Sequence, residues 1–271
     1  MYQPRLNLKR GHSTCGSLGR FGICITDMFS NSWHASRLLI NYLGIPYKTR
    51  WLSYPDIEPT FKELGIPPSL IKPDGSGHYS CPSITDHTPS GPNHVTDSAV
   101  IADYLVANYP RTDKPPVFPT GTKAAIKLLT DDLFNNLISA FVKLVLPMVP
   151  KLLDPRSAEY FHYTRAIRYG KPLDQLYPAG PERDAVWASL KAYFDRLASI
   201  YDQNDESDVF FLGDHITYAD IFLASAFIWA KTIPSDRDGP DVNCVWDKIK
   251  GWNGGRWERF MHEFDSYLQV Y

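Results

Sequence analysis

Three stretches of the chain place hydroxyls and carboxylates where helices should begin. Ser30 and Ser32 stand just before the helical pattern Trp33, Leu38, Leu39, Tyr42, Leu43. A helix start offers unsatisfied N–H groups and the positive end of the helix dipole. A serine there either caps the helix or donates to an anion held at the same end. Asp97-Ser98 opens a second helical pattern and poses the same choice. Thr96 or Asp97 caps the helix, or the free N–H groups and the Ser98 hydroxyl receive a carboxylate while Asp97 holds an ammonium group beside it. A ligand end bearing both –NH₃⁺ and –COO⁻ would match that pair. Thr217-Tyr218-Ala219-Asp220 precedes the apolar run IFLASAFIWA and has the form of a capping box, a structural device.

Pro82 interrupts the strand-like run HYSCPSIT. A trans proline in mid-strand deletes a ladder hydrogen bond and belongs on an edge. A cis proline at the strand entrance would instead turn the Cys81 main chain outward, toward an extended peptide. Both readings stand on the residues alone. Cys81 itself is either an inert half-buried thiol or a partner for a mixed disulfide.

The chain's composition narrows the alternatives. It has 271 residues, 28 basic against 30 acidic, and a net charge of −2. That balance argues against a nucleic-acid or polybasic membrane binder. The hydrophobic share of 44% fits a globular core. The apolar stretch 137–153 is broken by Lys143, Pro147, Pro150 and Lys151, so no membrane span is expected. Four scattered cysteines, without C-x-x-C spacing, suit a reducing compartment and no disulfide framework. Eight unclustered histidines make a metal site unexpected. Residues 1–20 carry Arg5, Lys9, Arg10 and Arg20 before the first carboxylate, Asp27. They read as a flexible extension or, less simply because of Gly11, Gly16 and Gly19, as a mitochondrial presequence.

The elements that must position these residues follow from periodicity. A strand over 21–26, a turn over 27–31 and a helix from 32 to Gly44 are succeeded by a parallel strand over 47–52. A short helix over 55–64 closes at Gly65. Residues 66–76 read as a loop, 79–85 as a strand, 88–93 as a turn, and 94–96 as the start of a fourth strand. A helix over 97–109 should bury Val100, Ile101, Tyr104 and Leu105. The order over 21–109 is βαβαββα. Residues 110–120, with four prolines, are the best linker. Residues 121–271 read as helix throughout. One long helix spans 122–146 and stops or kinks at Pro147; others cover 157–169, 181–201 and 217–233, with shorter ones between 242 and 267.

Strand, serine, helix, strand, helix, proline strand, strand, Asp-Ser helix, proline linker and helical half with a capping box recur together in one known family. The chain resembles the cytosolic glutathione transferases over roughly residues 21–265. The segments YLGIPYKTRWLSYPDIEPTFKELGIPPSLIKPDGSGHYSCPSITD, TDSAVIADYL and SAEYFHYTRAIRYGK look most like the fungal FuA-type members, themselves similar to bacterial lignin β-etherases.

The resemblance implies a thioredoxin-like N-terminal domain that binds glutathione and an all-α domain that shapes the acceptor site. It makes Pro82 the cis proline, gives the Cys81 main chain the cysteinyl unit, and gives Asp97 and Ser98 the γ-glutamyl end. Ser30 takes the activating place, by its spacing from Arg37, with Ser32 as the alternative. Asn31 stands where the family has proline, and Trp33 one position earlier than expected. A free thiol has a pKa near ~8.5, and lowering it by about 2 units is worth about 2.7 kcal/mol. The resemblance further implies a cytoplasmic homodimer acting on hydrophobic aromatic compounds, by conjugation, deglutathionylation or ether cleavage, in detoxification or secondary metabolism. A non-catalytic ligand carrier or regulator on the same fold is the competing expectation. Trp33, Tyr54, Tyr160, Phe161 and Trp229 either line the acceptor pocket or fill the core.

Overall fold

The computed structural model of the chain describes residues 21–25, 30–176, 178–205, 208–234 and 244–271. The expected basic extension and most of the 27–31 turn lie outside them.

β1 (Phe21–Ile25) and β2 (Tyr47–Trp51) are parallel, with Phe21 opposite Tyr47 and Ile25 opposite Trp51. Parallel neighbours need a crossover, here α1 (Asn31–Leu43). The left-handed Gly44, at φ 68°, ends it by returning its N–H to the Ile40 and Asn41 carbonyls. α1 is buried nearly all round, since the sheet lies on one side and the helical half on the other. β5 (Ser83–Thr88) and β6 (Gly91–Thr96) complete the sheet in the order β2-β1-β5-β6, with β5 antiparallel to both neighbours. Pro92 is tolerated because β6 is an edge strand. α2 (Ile57–Leu64) follows a 3₁₀ turn at Tyr54–Asp56 and stops at Gly65.

Several local expectations change. The strand read over 79–85 is β5, and the turn read over 88–93 is only residues 89–90. The 66–76 loop contains β3 (Leu70–Ile71), which pairs with β4 (Gly77–His78). Between them the Asp74 carboxylate accepts from the Ser76 N–H at 2.9 Å and hydroxyl at 2.6 Å. Two-residue strands have no period to detect. Asn31 is the first residue of α1 rather than the last of a turn. α3 (Ser98–Asn108) buries Ile101, Ala102 and Leu105 while Val100 is 54% exposed; a helix apolar on most faces does not reveal which stripe turns inward. The single helix over 122–146 is α4 (Lys123–Leu133), a π turn at Phe134–Ile138, and α5 (Ser139–Leu144). The wider turn slips the inward stripe from Ile126, Leu129 and Leu133 to Leu137, Ile138, Phe141 and Leu144, and leaves Phe134 outside. As expected near Pro147, the α-helix stops: α5 ends at Leu144, and the 3₁₀ segment Leu146–Leu152 continues at a 52° bend.

α6 (Pro155–Tyr169), α7 (Gly180–Tyr201), α8 (Tyr218–Thr232), α9 (Val245–Ile249) and α10 (Trp252–His262) complete the helical half. α8 is its axis. Phe227 stacks on Phe194 at 5.7 Å and contacts the Trp246 and Trp257 rings. Among the described residues no single helix is long and apolar enough to cross a membrane. The bent pair Lys123–Leu144 and Leu146–Leu152 passes by length and composition; most of its apolar residues are core, while Leu128, Phe134 and Leu152 are exposed. Residues 110–120 form neither helix nor strand, yet they are anchored. Tyr42 donates to the Pro115 carbonyl at 2.8 Å, and the Tyr218 N–H donates to the Val117 carbonyl at 2.9 Å.

Candidate functional site

The strand registers bring the predicted residues to one end of the sheet. Ser83, the first residue of β5, lies opposite Cys24 on one side and Thr96, the last residue of β6, on the other. Cys81-Pro82 therefore sits at the sheet's end beside Asp97-Ser98. β1 runs out at Ile25 opposite Trp51 at that same end, and α1 must start there because it crosses back over the sheet. Helix starts and strand ends gathered on one edge are where α/β folds place ligands.

Of the two readings of Pro82, the structure has the cis peptide bond. β5 starts immediately after it, so no ladder bond is lost to the proline. Cys81 is half-buried and outside any disulfide.

Ser30 is the N-cap of α1 in an extended conformation (φ −118°, ψ 128°), and its hydroxyl makes no capping bond. Ser30 and Ser32 are both half-buried. The hydroxyl has not been spent on the helix, which leaves it available as a donor. Asn31 explains how this start is fixed. It is buried, and its Oδ1 accepts a 2.6 Å hydrogen bond from the Ser225 hydroxyl of α8. A proline has no side chain to accept such a bond, so the departure at Asn31 ties α1 to the helical half. Trp33 stacks on Trp51 at 5.7 Å with ring planes 14° apart, and Arg37 lies 4.6 Å from the Trp33 ring centre.

At the start of α3, Asp97 takes φ 76°, and its Oδ1 accepts from the Ala99 N–H at 2.9 Å and the Val100 N–H at 3.4 Å. Capping thus occupies one carboxylate oxygen of an exposed side chain. The other oxygen keeps acceptor capacity for an ammonium group. Ser98 is half-buried, and its carbonyl accepts from the Tyr218 hydroxyl at 3.2 Å. Burial pushes the Tyr218 phenol well up, with Asp97 and Asp103 adding to it, so it remains a neutral donor. α8 consequently touches both helix starts, Asn31 through Ser225 and Ser98 through Tyr218. These two α8 residues escape sequence reasoning; only Tyr218 lies in a recognised pattern, the capping box.

That capping box is complete. The Asp220 carboxylate accepts from the Thr217 N–H at 2.9 Å and hydroxyl at 2.6 Å, the Phe211 N–H at 2.9 Å and the Tyr201 hydroxyl at 3.1 Å. Burial raises the Asp220 pKa, and these four donors oppose the rise. Of the aromatic candidates, Trp33, Tyr54, Phe161 and Trp229 are core, while Tyr160 is 36% exposed. Among the described residues no group of three or more His, Cys, Asp or Glu could hold a metal ion.

The donor set suits a zwitterionic, thiol-bearing peptide: a carboxylate with one oxygen outside the cap, a helix start beside it, and a hydroxyl without a capping bond at a second helix start. Known proteins share the fold. A profile of the glutathione S-transferase C-terminal domain matches residues 124–267. The glutathione S-transferase-like protein ustS of Aspergillus flavus is 29% identical over 255 residues, covering 89% of this chain and 86% of its own. Glutathione transferase GSTFuA3 of Phanerochaete chrysosporium superposes with a TM-score of 0.81 at 32% identity, over 94% of this chain and all of its own. A glutathione S-transferase of Ceriporiopsis subvermispora, solved in complex with glutathione, gives a TM-score of 0.79 at 33% identity, over 93% and 98%. The thioredoxin-like sheet with α1 to α3, the helical half behind it and these likenesses lead to one conclusion: the chain belongs to the glutathione transferase superfamily and resembles its fungal FuA-type members.

Proposed function

We propose that the chain is a glutathione transferase that binds glutathione across the Cys81-Pro82 and Asp97-Ser98 end of the sheet and uses Ser30 to hold the sulfur as a thiolate. The observation that carries this reading is the Ser30 hydroxyl, without a capping bond, at the start of a helix on the ligand edge. A hydroxyl donor and the positive end of α1 both favour the anion over the thiol. Asp97 receives the α-ammonium group, Ser98 and the α3 start receive the α-carboxylate, and the Cys81 main chain pairs with the cysteinyl unit. The thiolate then forms a sulfur–carbon bond at an electrophilic carbon while the leaving group departs with the bonding electrons. Serine donates a hydrogen bond and is not itself the nucleophile.

The acceptor in this reading is a hydrophobic aromatic compound, conjugated or released by ether cleavage or deglutathionylation. The glutathione complex of the Ceriporiopsis relative supports the first substrate. The enzyme works as a cytoplasmic homodimer. Val100 and Leu128, 54% and 73% exposed on α3 and α4, offer apolar contacts to a second copy beside the Lys123–Asp103 ion pair. A monomer in light scattering would remove the dimer from the proposal. The test of function is retention on immobilised glutathione, followed by assay with a chlorinated nitrobenzene, an isothiocyanate and a fluorogenic β-aryl ether. Retention with turnover of any of the three supports the enzyme; retention without turnover of all three favours a carrier.

A further inference from the structure

Residues 267–271 lie along the outer edge of the sheet, and their main chain is held by side chains of α1 and β2. Arg37 Nη1 donates to the Leu268 carbonyl, and also to the Gln269 carbonyl at 3.0 Å. Asn41 Nδ2 donates to the Tyr267 carbonyl at 2.7 Å and the Gln269 carbonyl at 2.9 Å. The Tyr47 hydroxyl reaches the Gln269 carbonyl at 3.2 Å, and the Thr49 N–H donates to the main-chain oxygen of Tyr271 at 2.8 Å. That last bond continues the sheet beyond its edge strand β2. Lys114, from the 110–120 stretch, donates to the Tyr267 hydroxyl and lies 4.5 Å from that ring's centre. A cavity of about 520 Å³ lies between this strap and the α1–β2 corner.

Two of these anchors sit one and two turns along α1 from its first turn. Arg37 is 4% exposed, burial lowers its pKa to about 10, and its guanidinium faces the Leu268 and Gln269 carbonyl oxygens. Its guanidinium covers Trp33, which in turn stacks on Trp51. The strap, Arg37, Trp33 and Trp51 thus form one continuous series of contacts that includes the first turn of α1, where Trp33 stands three residues after Ser30. α8 holds the helix start from the other side through Asn31 and Ser225.

We infer that residues 267–271 act as a strap that positions the first turn of α1, with Arg37 and Asn41 as positioning residues for the Ser30 hydroxyl. The inference rests on the proposed role of Ser30. A displacement of about 1 Å at a reacting group can cost roughly a hundredfold in rate, so a helix carrying a thiolate donor gains from restraint at both flanks.

The test compares the full chain with Asn41→Ala and with a variant ending at residue 266. Hydrogen exchange is read over the first turn of α1 and over α8, and the ionisation of bound glutathione is followed by thiolate absorbance against pH. First-turn amides of α1 should exchange about tenfold faster in both variants, with α8 unchanged. The apparent pKa of the bound thiol should rise by about one unit, lowering turnover about tenfold below that pKa and little above it. Glutathione affinity should stay within about threefold, because Asp97 and Ser98 lie at the other helix start. If removal of the strap unfolds the chain, Asn41→Ala alone decides. Unchanged exchange in the first turn of α1, or an unchanged thiol pKa with only a lower melting temperature, would overturn the strap's role. Failure of the unaltered chain to take up glutathione would instead remove the underlying reading, while the exchange measurement would still report whether the strap holds α1.

Discussion

The starts of α3 and α8 use the same chemistry to opposite ends. Both have a carboxylate and a hydroxyl within four residues: Asp97-Ser98 in one, Thr217 and Asp220 in the other. At α8 the carboxylate is fully buried and accepts from four donors of its own chain. At α3 the carboxylate is exposed, and one oxygen caps the helix. A helix start whose polar groups are all satisfied internally is a structural joint. One that keeps acceptor capacity and a hydroxyl at a sheet edge is, in the proposed function, the seat of a ligand. α1 belongs with α3, since Ser30 occupies the cap position without capping.

This contrast breaks if the buried joint affects chemistry or the open starts affect folding. The largest effect should come from Asp220→Ala. It strands the Thr217 N–H and hydroxyl, the Phe211 N–H and the Tyr201 hydroxyl in the core, costing about 4 kcal/mol and lowering the melting temperature by roughly 10 °C. Turnover per folded molecule below the transition should be unchanged. Ser30→Ala comes next, with turnover reduced well over tenfold and glutathione affinity little altered; unaltered turnover would move the role to Ser32. Asp97→Asn sharpens the comparison further. Asparagine caps a helix about as well as aspartate, so stability should hold. Loss of the charge facing the ammonium group should weaken glutathione binding by roughly tenfold in calorimetry.

The smallest effect concerns pH. Burial, followed by the charge on His87, holds His94 below the usual histidine pKa, while its Nδ1 lies 2.9 Å from the Thr85 hydroxyl. A depressed histidine pKa means that the unfolded chain takes up the proton first. The contribution is therefore complete above about pH 6.5 and is lost as pH falls toward the lower folded value. His94→Gln should flatten that part of a stability profile; an unchanged slope would assign it to other groups.

Much of this was legible in the sequence, for physical reasons that can be named. Gly44, Gly65 and Gly170 end helices in left-handed conformations as their spacing implies, and Thr217-x-x-Asp220 caps as its pattern implies. These are local signals with local causes. Pro82 is visible in the sequence, but the residues alone leave its isomer open; the cis form, which the family resemblance implies, is the one in the fold. The π turn at Phe134–Ile138 and the β3–β4 pair left no periodic trace. Least legible were the contacts between residues far apart in the chain. Asn31 with Ser225, Ser98 with Tyr218, and Arg37 with Leu268 join positions more than a hundred residues apart. Asn31 looked like a defect in the family pattern, yet in the fold it joins α1 to α8.

The most direct measurement is the ultraviolet absorbance of glutathione thiolate on binding near neutral pH, taken alongside calorimetry for the unaltered chain, Ser30→Ala and Ser32→Ala. The account predicts uptake by all three proteins, with a thiolate band in the unaltered chain and Ser32→Ala and a greatly reduced one in Ser30→Ala. No heat of binding in the unaltered chain, or an equal thiolate band in all three, would contradict it.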